Sequence, residues 1–466
     1  MVGPTGGDGA ASLTGVRERI ARFAARVVPE PLAAGSRLPI WAGGAMIAAL
    51  TWLQMVRRPD DPPLWDSLFT EDGKVFLSQA LSQNFLDSLA TSYLGYLHTA
   101  PRVVALASTW VPLEDAPLVI SLATTAAVGM VCVYVFEASA AWIASPLLRG
   151  VLVLAVAFAP VTAREIQGSL SNLHYFLIYG AFWAVICPWR SLPWLAASTV
   201  VVLAAVLSNP LTGVLLPIAL VFAVRAGTRR AWVLPGAIVF GVAIQLLLRD
   251  EAASSFGGTS YAAIPRIFAE RVTSSLLVGD RYLKDVFGET TGSPFAWGSL
   301  ALLVLVVGVG LWRLRGRRQW LVGSCAALSV AYFVISAVGR GTLVLYPSKP
   351  WLLASTRYVY LPVLFLLTAV LAAVDRREPG GRRFPLRELA VAVLVLATIV
   401  ASYRAPHRSA GSPRWKAALT QARLACAARR PRPGITLYGK GPKLTAVVPI
   451  ATPDEWYVPV NCSKLD

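Results

Sequence analysis

The sequence predicts an all-α polytopic membrane protein of about eleven transmembrane helices, with amphipathic helices outside the bilayer and a small external C-terminal tail. Three observations predict it. Apolar runs recur from one end of the 466-residue chain to the other, giving 56% hydrophobic residues and a mean hydropathy of +0.59. Only 15% of residues are charged, where a soluble chain carries about 25%. The cations fall in short clusters between the apolar runs, as loops retained in the cytoplasm do. The net charge of +18 is therefore read as topology. No aromatic-basic recognition motif accompanies it, and no nucleic-acid partner is expected.

Residues 1–37 are rich in Gly, Ala and Arg and predict a cytoplasmic tail, with an amphipathic stretch at Val16–Val28 that suits the membrane interface. No cleavable signal peptide is expected, so the first apolar run reads as an uncleaved span. Residues 38–403 form the transmembrane region. Its candidate spans are Leu38–Val56, Ala116–Phe136, Pro146–Val161, Leu173–Trp189, Leu192–Leu207, Leu211–Arg225 and Trp232–Leu248. Pro294–Trp312, Gln319–Val338, Leu353–Val374 and Glu388–Tyr403 complete the set. Several fall short of the ~20 residues a span needs. Ser208-Asn209-Pro210 is read as a tight turn between two short helices, with a kink as the alternative.

With the N-terminus inside, the inner connections hold Arg190, Arg225, Arg229 and Arg230, then Arg313–Arg318 and Arg376–Arg387. The outer connections at Thr162–Asn172, Ser208–Pro210 and Gly339–Leu352 hold few cations. This assignment places the long loops 57–115 and 249–293, and the tail 404–466, on the non-cytoplasmic side. Gly73–Leu89 carries apolar residues at helical spacing and reads as an amphipathic surface helix, with further candidates at Pro101–Val111 and Tyr261–Phe287. The tail is polar, Pro-rich and basic, with β-like stretches such as Thr445–Ile450, and is too small for a large core of its own. Cys132, Cys187 and Cys325 fall in or beside spans and read as buried apolar groups. Cys426 and Cys462 share the external tail, where a disulfide would help a small unit.

Three groups can carry chemistry. In Trp65-Asp66-Ser67-Leu68-Phe69-Thr70-Glu71-Asp72-Gly73, three carboxylates gather at the head of the first amphipathic helix. Structurally, Thr70 would cap that helix and the acids would suit its dipole. Functionally, Asp72, Glu71 or Asp66 would serve as a general base or a metal-binding carboxylate. Arg164 and Glu165 with Asn172 and His174 lie at a membrane boundary, where ionisable residues pair or serve a function; snorkelling of Arg164 is the plain alternative. Arg340, Lys349, Arg357 and Tyr358 gather around the last long outer connection, where an arginine can grip a lipid phosphate or anchor at the interface. The sequence holds no GxxxxGK[ST], HExxH or CxxC, so ATP hydrolysis and the familiar zinc chemistries lack support.

In WDSLFTEDGKVFL at Trp65–Leu77, SLSNLHYFLIY at Ser169–Tyr179 and STRYVYLP at Ser355–Pro362, set among many short spans, the chain resembles the GT-C class of membrane glycosyltransferases. The resemblance implies transfer of a sugar from a polyprenyl-phosphate carrier to a glycan, lipid or protein acceptor of the cell envelope. It implies a first-loop acid as base, with Asp72 first, then Glu71 and Asp66. Arg357 would offset the leaving phosphate, assisted by Arg340, Lys349 and Arg164, while His174 and Asn172 position donor or acceptor. No cofactor is required; a divalent metal, used by some members, is possible. The competing function is a flippase or secondary transporter of an amphiphilic or lipid-linked substrate, against which no internal repeat is detected.

Overall fold

The computed structural model describes residues 38–56, 62–162, 165–187, 191–249, 259–279, 294–341, 356–375, 386–403, 412–451 and 456–465, with isolated positions between 15 and 25 and at 283. Most of the expected N-terminal tail, and residues 280–282 and 284–287 of the Tyr261–Phe287 candidate, lie outside them.

Each of the eleven apolar segments contains a helix. In chain order these are α1 (Ile40–Met55), then, after the short loop helices α2 (Ser78–Ser82), α3 (Phe85–Ala90) and α4 (Thr99–Ser108), α5 (Ala116–Ser139), α6 (Pro146–Phe158), α7 (Leu173–Ile186), α8 (Leu192–Ser208), α9 (Leu216–Ala226) and α10 (Val233–Leu247). After α11 (Ile264–Phe268) and α12 (Ser274–Val278) come α13 (Pro294–Arg313), α14 (Arg317–Arg340), α15 (Arg357–Val374) and α16 (Leu386–Tyr403). Among the described residues, six helices are long and apolar enough to cross a membrane, and five apolar ones are shorter. Eleven full spans is therefore more than length and composition support. One reason for the short helices is visible in α7, where every residue is buried. A helix wrapped by other helices on all sides answers to its neighbours and not to the bilayer thickness. Outward faces such as Leu246, Leu247, Val304, Leu305, Val393 and Val400 are exposed and apolar, which suits lipid.

Close helix approach depends on small residues. A Cβ at Gly241 on α10 would run into the Val206 side chain of α8. Gly241→Ala is therefore expected to lower stability by about 1–3 kcal/mol through overpacking, seen as a lower unfolding midpoint in detergent. An unchanged midpoint would mean that α8 and α10 can separate freely.

The external segments differ from expectation in three ways. Gly73–Leu89 is not one helix. A π-helical turn at Asp72–Leu77 leads into α2, which ends at Gln83, and Asn84 then caps α3. Thr70 does not cap the first of these, because its hydroxyl donates to the Glu71 carboxylate. The connection 162–172 is not a surface loop: its described residues are buried, so its backbone groups need partners within the protein.

The tail is also more than a polar extension. It forms α17 (Trp415–Ala428) and an antiparallel sheet in the order β1 (Thr436–Tyr438), β2 (Thr445–Ala451), β3 (Trp456–Asn461). Cys426 and Cys462 are disulfide-bonded, joining α17 to the end of β3. Trp415, Leu419, Val448, Ile450 and Val458 are buried in continuity with the core of the helical body. A unit too small to bury a core alone borrows one by docking. Cys132, Cys187 and Cys325 are buried.

Ser208–Pro210 is a turn. Asn209 is extended and its side chain accepts from Leu211 N–H, while Ser208 Oγ accepts from Ala100 N–H of α4. The far end of the body is tied together by Asp375. Its carboxylate accepts from Ala144 N–H and faces Arg318 at 3.6 Å, beside a Ser145–Glu388 hydrogen bond.

Candidate active site

Two long-range contacts assemble the centre. Arg357, in the first turn of α15, donates from Nη1 to Glu71 Oε1 at 2.9 Å across 286 residues of sequence. Glu71 is almost wholly buried, and its second oxygen accepts from Thr70. The neighbouring acid faces elsewhere. Asp72 accepts from Leu170 N–H and Ser171 N–H, each at 2.8 Å. A buried irregular segment thus has two of its backbone donors satisfied by one carboxylate.

Burial pushes the Asp72 carboxyl up from 3.8 to about 7; the Ser171 and Leu170 amides oppose this and the Glu71 charge adds to it. An acid raised in the fold is held best in its neutral form, so its contribution is complete below pH 3.8 and is lost as pH rises to about 7. The full shift is worth at most about 4 kcal/mol. Stability measured from pH 4 to 8 should therefore fall less steeply in Asp72→Asn than in the unaltered protein, even though the variant starts lower because it clashes with an amide donor. Parallel curves would rule out titration of Asp72 in this range.

Beside the acid–arginine pair sits an aromatic and imidazole cluster. Tyr93 and Tyr96 close a tight turn through Tyr93 N–H to Tyr96 O, with Leu94 at φ 53° and Gly95 at φ 86°. Leu94 has a side chain in the left-handed region, a strained geometry found where structure over-determines a site. Tyr96 stacks on His98 at 4.3 Å between ring centroids, His98 lies 5.6 Å from His174, and His174 lies 4.2 Å from Tyr175. Burial lowers His98 to about 3 and raises Tyr96 to about 12, so both rings are neutral at ordinary pH. His174 is buried, and neither ring nitrogen makes a hydrogen bond of ordinary geometry.

This cluster forms one wall of a cavity of about 520 Å³. Tyr96 and Tyr175 line it together with Arg340 and Tyr358, and Asn209 and Arg249 reach it from the α8–α10 side. The Tyr358 ring lies 5.5 Å from the Arg357 guanidinium and 6.0 Å from that of Arg340. Asn209 lines the cavity while its side-chain oxygen accepts from Leu211 N–H. Behind Asp72 is a separate void of about 10 Å³ lined by Leu64, Ser67, Ile120 and Gly168, room for about one water molecule.

The sequence candidates therefore separate. Glu71, Asp72, Glu165, His174, Arg340, Arg357 and Tyr358 converge, with Glu165 within electrostatic reach of Arg357. Asp66 does not join them: its carboxylate accepts from the Lys416 backbone N–H of α17. Asn172 converges but is occupied, since its amide donates to Glu165 O and Ser169 Oγ. It braces the buried segment and has no donor left for a substrate. Arg164 and Lys349 lie outside the described residues. Sequence reading passed over Tyr93, Tyr96, His98 and Asn209. The one available signal was the dense YLGYLH run at Tyr93–His98 around a glycine turn. Among the described residues, no group of three or more His, Cys, Asp or Glu side chains is placed to hold a metal ion.

Fold and site together define a helical membrane protein with a buried acid–arginine centre beside an aromatic cavity. Residues 101–345, more than half of the 466, match glycosyltransferase family 87. The chain belongs to that family, which is of the GT-C class. The acid pair and Arg357 lie beyond the matched residues. Among solved structures, the chain is similar to the arabinofuranosyltransferase AftD from Mycobacteria, at 17% identity and a TM-score of 0.40, over 80% of this chain and 28% of that one. It is also similar to an oligosaccharyltransferase of Archaeoglobus fulgidus, at 12% identity and a TM-score of 0.34, over 82% of this chain and 57% of that one. The chain thus spans well under two thirds of either structure. No curated protein matches it.

Proposed function

We propose that the protein transfers a sugar from a polyprenyl-phosphate carrier to a cell-envelope acceptor at the non-cytoplasmic face of the membrane, with Glu71 as general base. The observation that carries this reading is the buried Glu71–Arg357 pair beside the 520 Å³ cavity. In the reaction, the bond between the anomeric carbon and the carrier phosphate breaks, and the electron pair leaves with the phosphate. The acceptor hydroxyl oxygen bonds to the anomeric carbon and loses its proton to a carboxylate. Charge accumulates on the departing phosphate, where fixed guanidinium groups stabilise it most. Arg357 retains 20% exposure of its side chain and can meet that phosphate. As it does, its hold on Glu71 loosens and frees the carboxylate to take the proton.

Glu71 is favoured over Asp72 because both Asp72 oxygens are engaged by backbone amides. Asp72 is then the anchor that fixes segment 162–172, and with it His174, against the acid turn. Neutral imidazoles, tyrosine hydroxyls and the Asn209 amide suit an uncharged sugar, offering hydrogen bonds and ring faces without a competing charge. The face of the membrane is supported by the charge pattern. The helix order sends Arg225, Arg229, Arg230 and Arg313–Arg318 to the end opposite the site, which is the cytoplasmic end under the positive-inside rule.

The test gives purified protein a polyprenyl-phosphate sugar and a panel of envelope glycan, lipid and peptide acceptors. Donor consumption with a new glycosidic bond is expected. Movement of the lipid-linked substrate across sealed vesicles without covalent change would replace this reading with transport.

A further inference from the structure

We propose that the tail unit, residues 412–465, is a positioning clamp on the acid pair, with Gly73 as its contact point and the Cys426–Cys462 disulfide as its brace. This rests on the glycosyl-transfer reading above and adds a part of the molecule that the reaction itself does not name.

The tail grips the first-loop segment from both sides. On one side, the sheet packs directly on the π-helical turn. A Cβ at Gly73 would stand 2.5 Å from Ile450 Cδ1 of β2 and 3.0 Å from Val458 Cγ2 of β3. The next residue, Lys74, holds its ammonium 5.3 Å from the Trp456 ring and 5.1 Å from the Tyr457 ring. Lys464 donates to Leu81 O at 2.6 Å, at the far end of the same helical stretch. On the other side, α17 holds the flanks of the loop. Lys416 N–H donates to Asp66, Trp415 Nε1 donates to Leu113 O at 2.8 Å, and Arg423 pairs with Glu114.

Gly73 and Lys74 directly follow Glu71 and Asp72 on one turn. Any displacement of that turn away from the sheet moves both carboxylates relative to Arg357 and to the Leu170 and Ser171 amides. π-helical turns of this kind often sit at functional sites. The disulfide ties α17, which grips the flanks, to β3, which presses on the turn. The two grips therefore act as one body.

Gly73→Ala isolates this contact. Alanine is the better helix former, so a loss cannot come from local propensity. The expected result is a fall in kcat of about 10²-fold with KM for the donor little changed, as misplaced catalytic groups produce. Faster backbone hydrogen exchange across residues 70–82 should accompany it. Ile450→Val removes the Cδ1 atom that the added methyl group would strike, so Gly73→Ala/Ile450→Val should recover most of both losses. The Cys426→Ser/Cys462→Ser pair should raise exchange across the same segment. Unchanged turnover and exchange in Gly73→Ala, or a loss that Ile450→Val does not repair, overturns the clamp. If the unaltered protein consumes no donor, exchange decides: repair by Ile450→Val keeps the clamp and rejects glycosyl transfer, and absence of any exchange difference rejects the clamp as well.

Discussion

Glu71→Gln is expected to lower the rate of sugar transfer by about 10²–10⁴-fold, the range a positioned general base supplies, while the protein stays folded and still binds donor. The change keeps the size of the side chain and its ability to accept from Arg357 Nη1, the 2.9 Å contact that joins α15 to the first loop. It removes the negative charge, and with it the capacity to take a proton, while the Thr70 hydroxyl can turn to accept from the new NH₂ group. Asp72→Asn should behave differently. An amide can accept from one of the Leu170 and Ser171 N–H groups but presents NH₂ to the other, so stability falls along with activity. The measurement is donor turnover at saturating acceptor, paired with an unfolding curve for each variant. If Glu71→Gln retains full turnover and Asp72→Asn loses it at unchanged stability, the base is Asp72 and the assignment of roles within the pair is reversed.

Parts of this centre stood out in the sequence, each for its own reason: Glu71 and Asp72 as carboxylates gathered at the head of an amphipathic helix, Glu165 as an ionisable residue at a membrane boundary, and Arg357 as an arginine near the outer end of a span. Sequence reading singled these out without any structure. It failed at Asp66, because adjacency in sequence carries no direction. The 3₁₀ turn at Leu64–Asp66 aims this carboxylate at α17, while Glu71 and Asp72 turn inward. It also missed Tyr96 and His98, since aromatic residues in an external loop read equally well as interfacial anchors. The strained turn at Leu94–Gly95 that swings Tyr96 into the cavity leaves no periodic trace.

The helical body was legible from apolar runs alone, but the length of each helix was not, since α7 is set by protein neighbours and not by lipid. Nor could composition show that segment 162–172 is buried. Polar residues such as Ser169, Ser171 and Asn172 look like solvent-facing loop until their partners are seen: Asp72 takes the Leu170 and Ser171 amides, and Asn172 donates to Ser169 Oγ. The tail's core was hidden for a related reason, because partners such as Leu113, which meets Trp415, lie 302 residues earlier in the chain.

Arg357 provides the second large effect, this time on stability as well as rate. Arg357→Met leaves the Glu71 carboxylate buried at 4% side-chain exposure with its guanidinium partner gone. Removing one member of a buried ion pair costs about 3–5 kcal/mol. Thr70 still donates to Glu71 and Arg357 itself keeps 20% of its side chain exposed, so the lower end of that range is expected here. Adding Glu71→Gln should return most of the lost stability, since a neutral amide beside a thioether carries no uncompensated charge, yet sugar transfer should stay abolished. Arg357→Lys keeps the charge but loses the planar fork that meets both a carboxylate and a phosphate; it should recover stability better than rate. Unfolding in detergent for the two single variants and the double variant gives the coupling energy directly. A coupling near zero, with Arg357→Met as stable as the unaltered protein, would show that the pair does not hold α15 to the first loop. Full transfer by Arg357→Met would remove the arginine from the reaction, and the leaving phosphate would then have to be met by Arg340 and Arg249, which line the cavity.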